Sequence, residues 1–144
     1  MHNDDSFDLQ GFLPYLLAQA AETASAGFQR HYKDRYGMLR TEWRVLFHLG
    51  RYGPMTAKDI GARARVHKTK ISRAVAALET KRFLTRNVVT RDRRQAKLDL
   101  TKNGQAAFDD LYKAAQAFDA QLMAGFSRQE GAALKRCLAA LAAQ

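Results

Sequence analysis

Apolar positions keep a helical spacing along most of this chain and depart from it only once. Leu13, Leu16, Leu17, Ala20, Ala24, Phe28 and Tyr32 recur at steps of three and four residues. That spacing places them on one stripe of a helix over about residues 11–36. Pro14 is tolerated only in a first helical turn, so regular helix is expected to begin near Phe12. A second helix is expected from Glu42 to about Tyr52, with Thr41 as its cap and Gly53-Pro54 as its stop. Trp43, Val45, Leu46, Phe47 and Leu49 cover nearly its whole circumference, the pattern of a central, buried helix. Thr56-Ala57-Lys58-Asp59 reads as a capping box with Asp in place of Glu and opens a short helix to about Ala64. After a turn at Arg65-Val66-His67, a fourth helix is expected from Lys68 to about Lys81.

Beyond Arg82 the period shortens from helical to alternating. Leu84 to Val89 and Gln95 to Leu100 read as two strands around the tip Arg91-Asp92-Arg93-Arg94. Thr101 then caps a long helix with Phe108, Leu111, Tyr112, Ala115, Phe118 and Leu122 on one face. Ser127-Arg128-Gln129-Glu130 is a capping box before a last helix ending near Ala142, whose stripe is Leu134, Cys137, Leu138 and Leu141. The predicted order is ααααββαα, mainly α with a small β-hairpin.

Composition narrows what this pattern can serve. The 144 residues carry 24 Lys and Arg against 14 Asp and Glu, a net charge of +10. That excess points to nucleic acid, an anionic membrane surface or an acidic partner. It is also localised: no Lys or Arg precedes Arg30, and most of the surplus lies between Arg51 and Lys102. One domain with a sizeable core is expected. No stretch approaches the ~20 apolar residues of a membrane span. The acidic start, Met-His-Asn-Asp-Asp-Ser-Phe-Asp, lacks an apolar signal segment, and the single cysteine forms no intrachain disulfide, so a cytoplasmic location is expected.

Two short helices, a tight turn, a longer helix and a basic hairpin make a winged helix-turn-helix. In that arrangement the second helix of the pair enters the major groove with its N-terminal half. Here that half supplies Lys68, Thr69, Lys70, Ser72 and Arg73, while Ile71, Val75 and Leu78 form the opposite side. Arg can read guanine with two hydrogen bonds, and Ser and Thr can meet base edges or phosphates. The free N–H groups at the helix starts, Thr56 and Lys68, favour phosphate. His67 is the departure, since a short oxygen-bearing side chain caps better. Either the helix starts at a different residue or His67 serves the DNA face.

Four segments carry a closer resemblance. Leu39-Arg40-Thr41-Glu42-Trp43-Arg44-Val45-Leu46, Lys68-Thr69-Lys70-Ile71-Ser72-Arg73-Ala74-Val75-Ala76-Ala77-Leu78-Glu79, Asp92-Arg93-Arg94 and Leu98-Asp99-Leu100-Thr101-Lys102-Asn103-Gly104 resemble the MarR family in content, order and spacing. These are one-domain bacterial transcription regulators, and the resemblance spans essentially the whole chain. It implies a homodimer whose first and last helices intertwine, about residues 11–36 and 102–142, around winged modules of about residues 38–101. The long apolar stripes flanking a module of that size agree, because a second subunit would cover them. Two-fold symmetry then implies a pseudo-palindromic double-stranded operator, and the family makes a repressor the expected sign. The family's wing motif, matched by Asp92 and Arg94, implies that Asp92 braces the loop while Arg94 reaches into the minor groove. Arg91 and Arg93 are left for phosphates.

Many relatives release DNA when a small phenolic or aromatic carboxylate binds between the dimer helices and the winged module. Arg40, Arg44 and His48 lie on or beside the second helix, and Arg44 and His48 share a face at i, i+4. They are the candidate contacts for such a ligand, although Arg44 also suits a structural ion pair and His48 a packing role. Cys137, on the apolar stripe of the last helix, is expected to be buried and inert. His2, His31, His48 and His67 show no metal-ligand spacing, and no cofactor is expected.

An enzyme is the least supported class, for there is no Gly-rich phosphate loop, nucleophile motif or carboxylate pair. The alternative that stands is a winged-helix module binding an acidic protein or RNA without operator specificity.

Overall fold

The computed structural model describes residues 7–88 and 96–144. A single 3₁₀ turn, Leu9–Gly11, leads into α1, Leu13–Tyr36, with Pro14 in its first turn. Gly37 closes α1 in the left-handed region, φ 64, and the Gly37 and Met38 N–H groups donate back to Lys33 and Tyr32. This is the helix ending that glycine makes cheapest.

The second helix, α2, is Arg40–Tyr52, so Thr41 lies inside it and is not its cap. Leu39 occupies the cap position and has no side-chain acceptor. Glu42 replaces it by reaching back from the third helical position, where Oε2 accepts from the Leu39 N–H at 3.1 Å. Helix α3, Ala57–Ala64, begins with the anticipated box: Asp59 N–H donates to Thr56 Oγ1 at 3.1 Å and Thr56 N–H to Asp59 Oδ2 at 3.4 Å. Helix α4 is Lys68–Thr80, and Lys81 is its C-cap. Later come α5, Lys102–Met123, capped by Thr101, and α6, Arg128–Ala142, capped by the reciprocal Ser127 and Glu130 pair. The Ser127 backbone N–H also holds the Glu130 carboxyl below its ordinary range.

Three strands form an antiparallel sheet in the order β1-β3-β2, with β1 Met55–Thr56, β2 Leu84–Asn87 and β3 Lys97–Leu100. The hairpin arms pair in the register Leu84↔Leu100 to Asn87↔Lys97. β1 adds a strand to the expected order: its two residues are too short to show alternation and exist as strand only by pairing with Leu98 and Lys97. Val89, Gln95 and the tip Arg91, Asp92, Arg93 and Arg94 lie outside the described residues.

The core gathers α2, α3, α4, the sheet and the start of α5. Val45, Leu46, Ile60, Leu78 and Leu111 are fully buried in it, with Val75, Ile71 and Leu98 almost so. Gly104 lets α5 start against the α4–β2 turn, because a Cβ there would lie 1.9 Å from the Phe83 carbonyl oxygen. The two flanking stripes fare differently from the core. Phe28 and Tyr32 of α1 are buried, but Leu13, Leu16, Leu122, Leu134, Leu138 and Leu141 stay exposed. Cys137 is exposed too, contrary to expectation, since nothing among the described residues covers it.

Candidate nucleic-acid interface

Helix α4 divides cleanly. Ile71, Ala74, Val75 and Leu78 are buried against the core, whereas Lys68, Thr69, Lys70, Ser72 and Arg73 are all exposed. At 3.6 residues per turn, Thr69, Ser72 and Arg73 line one outward stripe and Lys68 and Lys70 flank it on either side. The stripe has short hydrogen-bonding groups along its centre and point charges at its margins, which suits base edges in the middle and phosphates beside them.

His67 is the cap of this helix, and its Nδ1 accepts from the Thr69 N–H at 3.2 Å. An acceptor must be unprotonated, so the imidazole replaces the usual hydroxyl or carboxylate in its neutral form. The first alternative for His67, a shifted helix start, is therefore set aside. Thr56 uses its side chain to cap α3 and is half-buried, which leaves the first N–H groups of that helix as its contribution to an anion.

Two polar connections hold α4 in place, and neither was anticipated from the pattern. Glu42 is only 4% exposed, and Lys81 Nζ lies 2.5 Å from its Oε1 and 2.6 Å from the Gly37 carbonyl. One lysine thus joins the end of α4 to the α1–α2 corner. Arg86 on β2 pairs with Glu79 on α4 at 3.2 Å, linking wing and helix. A third connection ties α1 to α5. Tyr36 donates to Asp110 Oδ2 at 2.6 Å, and Arg35 Nη1 reaches both carboxylate oxygens at 3.1 Å. The hydrogen bond from Tyr36 is the main reason Asp110 is held below the ordinary carboxylate range. Burial, then the same bond, pushes Tyr36 up to about 12. These partners lie 7 to 75 residues apart, so no local spacing announces them.

Arg44 and His48 meet in one cavity of about 360 Å³ beside α2, with Phe28, Trp43, Phe47, Phe118 and Leu122 among its walls. Arg40 lies instead in an adjoining cavity of about 220 Å³ that shares Arg44 and Trp43. Arg44 makes no ion pair among the described residues. His48 Nδ1 lies 2.6 Å from the Arg44 carbonyl oxygen. A carbonyl only accepts, so Nδ1 carries the hydrogen and Nε2 is left for another partner. An aromatic cavity with a guanidinium at its side can take a planar anion, by apolar contact and by paired hydrogen bonds. Among the described residues no three His, Cys, Asp or Glu side chains come together as metal ligands would.

The MarR family model matches residues 36–95, which hold the helix pair and the first hairpin arm, β2, and stop short of β3. A MarR family regulator of Silicibacter pomeroyi, SPO1453, has the same fold with 28% identity and a TM-score of 0.77, over 94% of this chain and 99% of that one. The chain is similar to MarR family regulators over its helix-turn-helix. It is a DNA-binding transcription regulator, and that family's members are transcription factors rather than enzymes. The uncharacterized HTH-type transcriptional regulator YwaE of Bacillus subtilis is 24% identical over 79% of this chain and 67% of its own length. BpsR of Bordetella bronchiseptica, whose DNA binding is regulated by 6-hydroxynicotinic acid, has the same fold as this chain at a TM-score of 0.85. Its identity is 19%, over 95% of this chain and 97% of that one. No helix among the described residues is long and apolar enough to cross a membrane.

Proposed function

We propose that this regulator acts as a homodimeric repressor on a pseudo-palindromic operator in the bacterial cytoplasm. The observation that carries the reading is the partition of α4, with every polar residue of its N-terminal half outside and every apolar one inside. Thr69, Ser72 and Arg73 face base edges, while Lys68, Lys70 and the start of α3 at Thr56 take phosphates. The wing adds Arg91 and Arg93 on phosphates and Arg94 in the minor groove, with Asp92 as the brace of its loop. A second copy covers the apolar faces left open on α1 and α6, so residues 11–36 and 102–142 form the dimer arms and residues 38–101 the winged module. Symmetry then sets the half-sites about one helical turn apart.

Selection of bound fragments from a random DNA pool tests this directly. An enriched inverted repeat, preferred over random DNA by ~10³ or more, is the expected result. No enrichment would refute the reading and favour an acidic protein or RNA as the partner.

Release follows when a small anionic aromatic ligand enters the cavity at Arg44 and His48, with Arg40 at its margin. The aromatic walls and a guanidinium that makes no ion pair among the described residues support this, as does the heteroaromatic acid that regulates BpsR. Such a ligand acts by favouring a spacing of the two winged modules that DNA does not. Trp43, the only tryptophan, lines the cavity, so its fluorescence reports occupancy. Aromatic carboxylates are expected to quench it in the natural protein and at least tenfold more weakly in Arg44→Ala. Equal quenching in both would remove Arg44 from the site.

A further inference from the structure

Helix α6 touches α5 near its start and middle, and the α3–α4 turn at its end. Near its start, Gly131 leaves room for Met123, whose Cε would lie 2.6 Å from a Cβ there. At its middle, Lys135 Nζ bonds Asp119 of α5 at 2.8 Å. At its end, the Arg65 guanidinium donates to the Ala142 carbonyl. That carbonyl is one of those a helix leaves without an internal partner, and a cation there complements the negative end of the helix.

Arg65 is no ordinary surface residue in this setting. It closes α3 with φ 54 and ψ 47, in the left-handed region. Glycine, or a short asparagine, occupies that region at least cost. A long cationic side chain has its backbone strained here, and what it reaches is the last turn of a helix 77 residues away. Three residues later the recognition helix begins at Lys68. The adjoining apolar stripe of α6, with Leu134, Leu138 and Leu141, is left exposed.

We infer that Arg65 is a positioning residue for operator recognition, setting the half-site spacing by holding the end of α6 to the turn ahead of α4. The inference rests on the homodimer and operator reading above. The helix that meets the partner is tied by its far end to the segment that aims the recognition helix. The two recognition helices are then held at one separation rather than pivoting on the α3–α4 turn. Two lesser roles leave different traces. A direct phosphate contact would show in the salt dependence of binding, and a merely structural bond would show in stability.

The test uses the full chain as Arg65→Gly and Arg65→Lys. Each is titrated on the selected operator and on versions with one base pair added or removed between half-sites, over a range of salt. One base pair displaces a half-site by about 3.4 Å and rotates it by about 35°. The natural protein is expected to lose tenfold or more on each altered spacing. Arg65→Gly is expected to narrow that loss to about threefold, with an unchanged salt slope and a melting temperature equal or higher, because glycine relieves the left-handed backbone. Arg65→Lys, which keeps a donor, retains most of the discrimination. Spacing discrimination in Arg65→Gly as sharp as in the natural protein would overturn the inference. So would a salt slope reduced by about 0.9 per half-site with discrimination intact, which assigns Arg65 to a phosphate.

A natural protein with no preference for an inverted repeat refutes the operator reading itself, and is told apart by hydrogen exchange on the free protein. There Arg65→Gly is expected to speed exchange in the last turn of α6 about fivefold, the effect of one lost hydrogen bond. Unchanged exchange shows that the tether does not hold in solution.

Discussion

The Glu42–Lys81 pair offers the sharpest test of how α4 is held. Glu42 has a side chain 5% exposed, while that of Lys81 is 33% exposed, so the pair is buried at one end and reached by water at the other. Replacing Lys81 by Met keeps the stem of the side chain but strips the carboxylate of its cation, leaving it the Leu39 N–H alone. Breaking a fully buried pair costs about 3–5 kcal/mol, and the water at Lys81 lowers this to roughly 2–3 kcal/mol. Glu42→Gln should cost only about 1 kcal/mol, because the amide still accepts from Leu39 and the freed ammonium keeps water and the Gly37 carbonyl. In the double variant no charge is left unpaired. Its cost should also be about 1–2 kcal/mol, well below the sum of the singles, with a coupling of roughly 2 kcal/mol. Urea unfolding at one fixed protein concentration measures all four proteins, and a common slope confirms that the transitions are comparable. Single-variant costs that add to within about 0.5 kcal/mol would refute the argument, since independent sites behave that way.

Further expectations bear on other parts of the molecule. Arg94→Ala should weaken operator binding at least tenfold with the dimer intact, and a mobility-shift titration with unchanged affinity near physiological salt would contradict the wing assignment. Leu138→Glu should weaken self-association by about 30-fold or more, as read by sedimentation. A two-fold interface loses about 1 kcal/mol of burial from each copy, before any repulsion between the new charges. Gly104→Ala should destabilise by about 3 kcal/mol or more, because its methyl meets the Phe83 backbone carbonyl rather than a side chain that can move. A thermal melt at the natural midpoint would count against that packing.

Tyr36 and Asp110 predict losses of stability at opposite ends of the pH scale. Tyr36 is raised in the folded state, so its contribution is full below its ordinary 10.0 and fades as pH climbs toward about 12. Asp110 is lowered, so its contribution is present above the ordinary carboxylate range and is lost as pH falls. Tyr36→Phe should flatten the alkaline loss and weaken the acid one, measured as unfolding midpoints across pH. An unchanged profile would disprove the link.

Much of this protein was legible in the order of its residues. Helices are local objects, so the stripes of α1, α5 and α6, the Thr56–Asp59 and Ser127–Glu130 boxes, and the two faces of α4 could all be read from spacing alone. The basic hairpin after the helix pair, together with the four resembling segments, was enough to indicate a winged DNA reader of the MarR family. Tertiary structure decided what depends on residues distant in the chain. Strand β1 exists because β3 lies beside it, and Glu42 rather than Thr41 serves the start of α2 because Lys81, from the end of α4, fixes its buried carboxylate. Arg44 and His48 share a cavity walled in part by Phe118 of α5, whereas Arg40 lines an adjoining one beside Ala24 and Tyr32 of α1. Arg65 meets Ala142 only because the fold brings the end of α6 to the α3–α4 turn. Local spacing encodes what a residue does to its own helix, whereas the free energy of a long-range contact depends on a partner that only the folded chain supplies.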